Sequence, residues 1–306
     1  RQFMKRGFLF YFLLSLLGFS IYVLLDAIGK KLIGTYHVSQ IIFINSIFAL
    51  LPIAIFVTYK KEWAEVKKYN LKIQIARSSC ALIAMMSFFI SSNYLPLITL
   101  YSIVFVFPLA LTIGANLFLG EAVGWRRYTA IIIGFIGVLI SINPFSMAFN
   151  KFIILSFLSP IFAALGWLIV KKYGQKESIF SFMIYGKLFL IFITGSVLIF
   201  YFKSESSFDL LLNIISGLLR GIGILLTFIA ASKLPSYLFA PTQYVQIIIG
   251  AIIGYLYFGD LPTLNNYIGN LIIIGAGIYI IHREFKLSKK IVTQSIRPTI
   301  LTIEKS

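Results

Sequence analysis

The chain has 306 residues, of which 59% are hydrophobic and 12% charged, with a mean hydropathy of +0.93. That leaves too little polar surface to cover a soluble globule, so the composition excludes a soluble enzyme or binding module and implies a membrane protein. A single cysteine, Cys80, and two histidines exclude a disulfide framework and most zinc sites.

Ten apolar runs follow in chain order, at 8–28, 38–58, 73–92, 97–118, 127–143, 152–170, 179–201, 210–231, 238–258 and 264–281. Each is near the roughly 20 residues a helix needs to cross a bilayer core. Strands of a membrane barrel are shorter and alternate strictly, whereas 131–142 and 271–281 are continuously apolar. The expected fold is therefore an all-α integral membrane protein of ten transmembrane helices. The first run follows Arg1, Lys5 and Arg6 as a signal peptide would. It has no small-x-small cleavage site before Asp26 and reads as a retained first span.

Lys and Arg accumulate in connections on the cytoplasmic side. Of the 27 basic residues, 20 lie in alternate connections and the two ends, against four (Lys30, Lys31, Lys151, Lys203) on the opposite side. Both termini are expected in the cytoplasm. The net charge of +17 is then mostly topology, with some attraction to anionic lipid. It gives no reason to expect a nucleic-acid partner. The segment 286–306 reads as a basic cytoplasmic tail.

The sequence also repeats. A shift of 139 aligns Leu95-Pro96 with Leu234-Pro235, Gly120-Glu121 with Gly259-Asp260, and Tyr128 with Tyr267; Lys30-Lys31 pairs with Lys171-Lys172 at a shift of 141. Two five-helix units follow, 1–144 and 145–285. Because five is odd, the second enters the membrane from the opposite side. Inverted repeats of this kind place a substrate site near the midplane between the halves and work by alternating access.

These paired markers resemble the drug/metabolite transporter superfamily, in particular its ten-helix EamA-type members, over about residues 5–285. The resemblance implies a central cavity built from helices 1–4 and 6–9, with helices 5 and 10 peripheral, in a bacterial inner membrane. Within the superfamily the chain is most similar to bacterial S-adenosylmethionine uptake carriers, through Asp26-Ala-Ile-Gly-Lys30, Lys171-Lys172 with Lys176-Glu177-Ser178, and Ala240-Pro241 with Tyr244. It departs from them at Thr242-Gln243, where a basic residue is expected between the proline and the tyrosine.

A charge at the centre of a spanning helix costs about 2.5–3.5 kcal/mol on insertion scales, so it usually faces a cavity or a partner. Arg220, about ten residues into the eighth run, and Lys187, about nine into the seventh, are the two central cations. They suggest an anionic substrate group; the alternatives are a structural role for Arg220 and snorkelling for Lys187. Arg77, nearer a span end, reads as an interfacial, snorkelling residue. Asp26 is the carboxylate inside a span: it can pair with either cation, bind a cationic substrate group, exchange a proton, or face water near the helix end. Glu121 and Asp260 read as turn residues. Gln243, Tyr244 and Gln246 follow Pro241, which removes a backbone hydrogen bond and can open the ninth helix to a cavity. Asn45 either joins the site or bonds between helices. Trp167 and Tyr101 either stack on a planar or cationic substrate or pack in the bundle.

No G-x-x-x-x-G-K-[ST], H-E-x-x-H or paired central carboxylates occur, so no enzymatic chemistry, cofactor or metal is expected. The expected function is secondary transport of a small polar metabolite, S-adenosylmethionine being favoured, by a monomer or homodimer. Efflux of amino acids or drugs is the rival within transport. A non-transporting membrane assembly factor is the rival from another class.

Overall fold

The computed structural model describes residues 2–67, 69–120, 124–144, 150–174, 177–234, 239–280 and 282–283; Glu121, Lys176, Pro235 and the basic tail lie outside them. The described residues form helices and no strand. Eight helices are long and apolar enough to cross a membrane: α1 (Gln2–Ile33), α2 (Val38–Lys60), α3 (Leu71–Ser92), α4 (Leu97–Leu119), α5 (Trp125–Ile142), α6 (Phe152–Tyr173), α7 (Ile179–Tyr201) and α8 (Ser207–Lys233). The last two expected runs form shorter apolar helices, α9 (Val245–Phe258) and α10 (Leu264–Ile280).

Two departures from the sequence expectation matter for the site. The first helix does not stop before Lys30-Lys31 but carries both in its last turn, where cations complement the exposed carbonyls of a helix end. Asp26 is thus two turns inside α1. The fourth and ninth runs are interrupted. In α4 the helix breaks between Val104 and Val106. Pro108 has no N–H for the carbonyl of Val104, and its ring crowds that carbonyl. Ahead of α9, Ala240–Tyr244 forms a 3-10 turn containing Pro241. Side-chain caps fix other starts: His37 accepts from the Ser39 N–H at α2, Ser178 from Phe180 at α7, and Ser206 from Asp209 at α8.

The bundle is polar inside and apolar outside. Ile55, Leu117, Phe192, Ile199 and Leu256 are exposed, whereas Ser15, Gln40, Asn45, Ser102 and Thr194 are buried. That inversion of a soluble protein is what lipid around the bundle demands, since internal polar groups must find partners there. The main helix contacts join α1 to α8, α3 to α6, α2 to α7 and α8, the second segment of α4 to α6, and α9 to α1. Glycines set the closest approaches: a Cβ on Gly217 would lie 2.9 Å from the Asn45 carbonyl oxygen, so α8 lies backbone to backbone on α2. One on Gly137 would lie 2.8 Å from the Gly269 carbonyl oxygen, which packs α5 against α10 away from the centre.

Candidate functional site

Two cavities meet at Trp167, which lines both. The central one, about 250 Å³, is lined from α1, α3, α4, α6, α7, α8 and the turn and start of α9. Asp26, Lys187, Arg220, Gln243, Gln246, Trp167 and Tyr101 all line it, and so does Arg77. Asn45 and Tyr244 do not.

Arg220 and Asp26 form an ion pair, Nη2 to Oδ1, at 3.2 Å, with both side chains mostly buried. Tyr101 donates to the other Asp26 oxygen at 3.0 Å, and Arg220 Nε donates to Asn45 Oδ1 at 3.1 Å. Asn45 in turn donates to Asn213 Oδ1 at 2.6 Å. The guanidinium also lies 5.7 Å from the centre of the Phe89 ring. Five helices thus surround one charge pair. Removing one partner of such a buried pair leaves an uncompensated charge, a cost of about 3–5 kcal/mol. Asn45 serves from behind the wall by fixing the Arg220 side chain.

Arg77 corrects the sequence reading. It does not snorkel to the interface; it turns into the cavity, its guanidinium 5.2 Å from the Phe228 ring centre. Lys187 is 6% exposed and has no hydrogen-bond or carboxylate partner among the described residues. Gln243 and Gln246 each keep a side-chain carbonyl oxygen buried without a hydrogen bond. Tyr244 packs away from the cavity, stacked on Phe105 at 5.0 Å and seated where Gly277 of α10 has no Cβ.

The two ends of the cavity are built differently. Toward the C-terminal end of α1, Lys30 donates to the Leu95 carbonyl at 2.9 Å and pairs with Asp260 at 3.5 Å. Asp260 also accepts from the Leu97 N–H at 3.1 Å. These bonds tie α1, the start of α4 and the end of α9 together. Asp260 is therefore more than a turn residue. The signal in the sequence was Asp26-x-x-x-Lys30, two charges on one face of α1 that take different partners. At the other end, Trp167 packs on Phe228 at 4.6 Å and on Phe239 at 5.1 Å, and Phe239 on Phe19 at 5.5 Å. Beyond this aromatic group lies a second cavity of about 720 Å³, which Trp167 also lines, with Lys171, Lys172 and Glu177 at its wall.

Residues 150–282 match the EamA-like transporter family. The chain carries this match over its second half. It is 29% identical over 282 residues to an S-adenosylmethionine uptake transporter of Rickettsia bellii, covering 92% of this chain and 96% of the relative. A riboflavin transporter of Vibrio cholerae is 29% identical over 60% of this chain and 62% of its own length. A pseudopaline exporter of Pseudomonas aeruginosa is 21% identical over 87% and 94%. One solved crystal structure superposes with a TM-score of 0.68 at 11% identity, over 90% of this chain and 97% of the other, which shows a shared fold. With its apolar helices, these likenesses make the chain a multi-pass bacterial membrane protein that transports a small metabolite, not an enzyme.

Proposed function

We propose that this carrier moves a small polar metabolite bearing a charged group and a planar ring, S-adenosylmethionine above others, by alternating access between two inverted five-helix units, 1–144 and 145–285. The observation that carries the proposal is the central cavity, which brings Asp26, Arg220, Lys187 and two unpartnered glutamine carbonyls together with the rings of Trp167 and Tyr101. A sulfonium or amine suits Asp26 and the aromatic faces. Amino N–H groups suit the Gln243 and Gln246 oxygens. The likeness to the Rickettsia carrier over nearly both full lengths supports the choice of substrate.

The inverted arrangement draws support from matched features in the two halves. Contacts of α1 with α8 correspond to those of α6 with α3, and α4 on α6 to α9 on α1. Gly120 and Gly259 both end their helices with positive φ, +67° and +65°. Tyr36 donates to Asp209 at the start of α8, and Glu177 accepts from Asn70 and Gln74 at the start of α3. Ten membrane crossings with cytoplasmic termini in an inner membrane complete this reading.

The test is exchange of labelled S-adenosylmethionine into liposomes loaded with unlabelled S-adenosylmethionine. Wild-type protein is expected to accelerate entry well above empty liposomes, and Arg220→Ala to abolish it. Wild-type entry equal to that of empty liposomes overturns the substrate, and entry unchanged in Arg220→Ala overturns the site.

A further inference from the structure

The cavity holds three cations and one carboxylate, and the single carboxylate is already engaged by Arg220. The other two cations line the same cavity, from α3 and α7. A Cβ on Gly186 would fall 2.5 Å from Arg77 Nη1 and 3.8 Å from the Ser78 hydroxyl, so the guanidinium rests against the α7 backbone at the residue preceding Lys187. No carboxylate pairs with Arg77 or Lys187 among the described residues. The Ser78 hydroxyl is also buried without a partner among them. Donors of this kind, held out of water and unmatched, are costly unless something anionic meets them.

We propose that Arg77 and Lys187, with Ser78 beside them, form an oxyanion subsite that takes the carboxylate or phosphate group of the substrate, while Arg220 stays with Asp26. This rests on the reading of the central cavity as the substrate site and assigns the groups within it. Arg77 offers a planar fork that matches a carboxylate or phosphate in two-bond geometry, and Lys187 a mobile point charge. Gly186 is what allows the fork to sit there. The division also separates the two ends of a zwitterion: the anionic end toward α3 and α7, the cationic end toward Asp26 on α1.

Binding can be read apart from transport. With Trp63→Phe and Trp125→Phe, Trp167 is the remaining tryptophan, and its fluorescence in solubilised protein reports occupancy of the cavity it lines. Two probe pairs separate the oxyanion from the rest of the molecule: S-adenosylmethionine against its decarboxylated form, and adenosine 5′-monophosphate against adenosine. At least one oxyanion is expected to bind about tenfold or more tighter than its counterpart, as charge-assisted hydrogen bonds warrant. Lys187→Met and Arg77→Gln should remove that preference while leaving adenosine and the decarboxylated probe within about twofold of wild type. Lys187→Arg should restore it. Gly186→Ala, which displaces the guanidinium, should weaken the oxyanion alone.

The proposal is overturned if neither oxyanion is preferred by wild-type protein, including the case in which none binds. It is also overturned if Lys187→Met weakens both members of a pair alike and Lys187→Arg does not rescue. A preference for the monophosphate without one for S-adenosylmethionine keeps the subsite and fails the substrate named above. Oxyanion binding with no flux in liposomes keeps the subsite and fails transport.

Discussion

The two ends of the central cavity are closed by different physics. At the end of α1, Lys30 and Asp260 join three helices through directional bonds that include two backbone groups, Leu95 C=O and Leu97 N–H. Such contacts either form or break, because a charge pulled away from its partner finds no graded substitute. At the opposite end Phe19, Trp167, Phe228 and Phe239 meet at tilted angles. Rings can slide or change rotamer while staying packed. A carrier needs both kinds of closure, one that switches and one that yields, and the larger cavity lies beyond the yielding end.

Six variants break or sharpen that contrast, all read as initial exchange rates in liposomes. Lys30→Met should have the largest effect, a loss of about a hundredfold, since truncating one member of a hydrogen-bonded charge pair typically costs 2–5 kcal/mol when buried and this pair is only partly so. Exchanging the charges, Lys30→Asp with Asp260→Lys, should recover part of the rate but not all, because the bonds to Leu95 and Leu97 need the native order. No recovery at all would show that the pair does not act as a latch. Trp167→Ala at the aromatic end should cost about tenfold, and Trp167→Phe less than about threefold; equal losses would argue for a specific indole contact instead of a packed closure. Asn45→Ala, which frees Arg220 Nε but leaves its bond to Asp26, should cost several-fold, in line with about 1 kcal/mol for one such hydrogen bond. Tyr244→Phe should stay within about twofold, since its hydroxyl has no partner among the described residues and its ring faces α10.

Position along each helix was legible in the sequence, and direction around the helix was not. Apolar run length gave the helices, and the position of Arg220, Lys187 and Asp26 within their runs picked out three residues that line the cavity. Arg77 was misplaced because distance from a helix end says nothing about which face a residue occupies. A helix lining a cavity removes the reason to snorkel. Lys30 and Asp260 read as loop charges for a similar reason: their partnership spans 230 residues and leaves no local pattern. Asn45 and Tyr244, both uncharged and within apolar runs, looked alike on the page. One supports Arg220 and the other packs on Gly277; only tertiary packing separates them. The helix breaks were half legible, since Pro108 and Pro241 mark where backbone bonds are lost.

The central claim is that substrate occupies the cavity between Asp26, Arg220 and Lys187. Its most direct test places a cysteine at Ala163, on the α6 wall of that cavity, in protein carrying Cys80→Ser, and measures its rate of modification by a small thiol reagent. Saturating S-adenosylmethionine should slow modification about tenfold or more in wild-type background and leave the Arg220→Ala rate unchanged. A modification rate that saturating substrate does not alter, in protein that still exchanges it, would contradict the account.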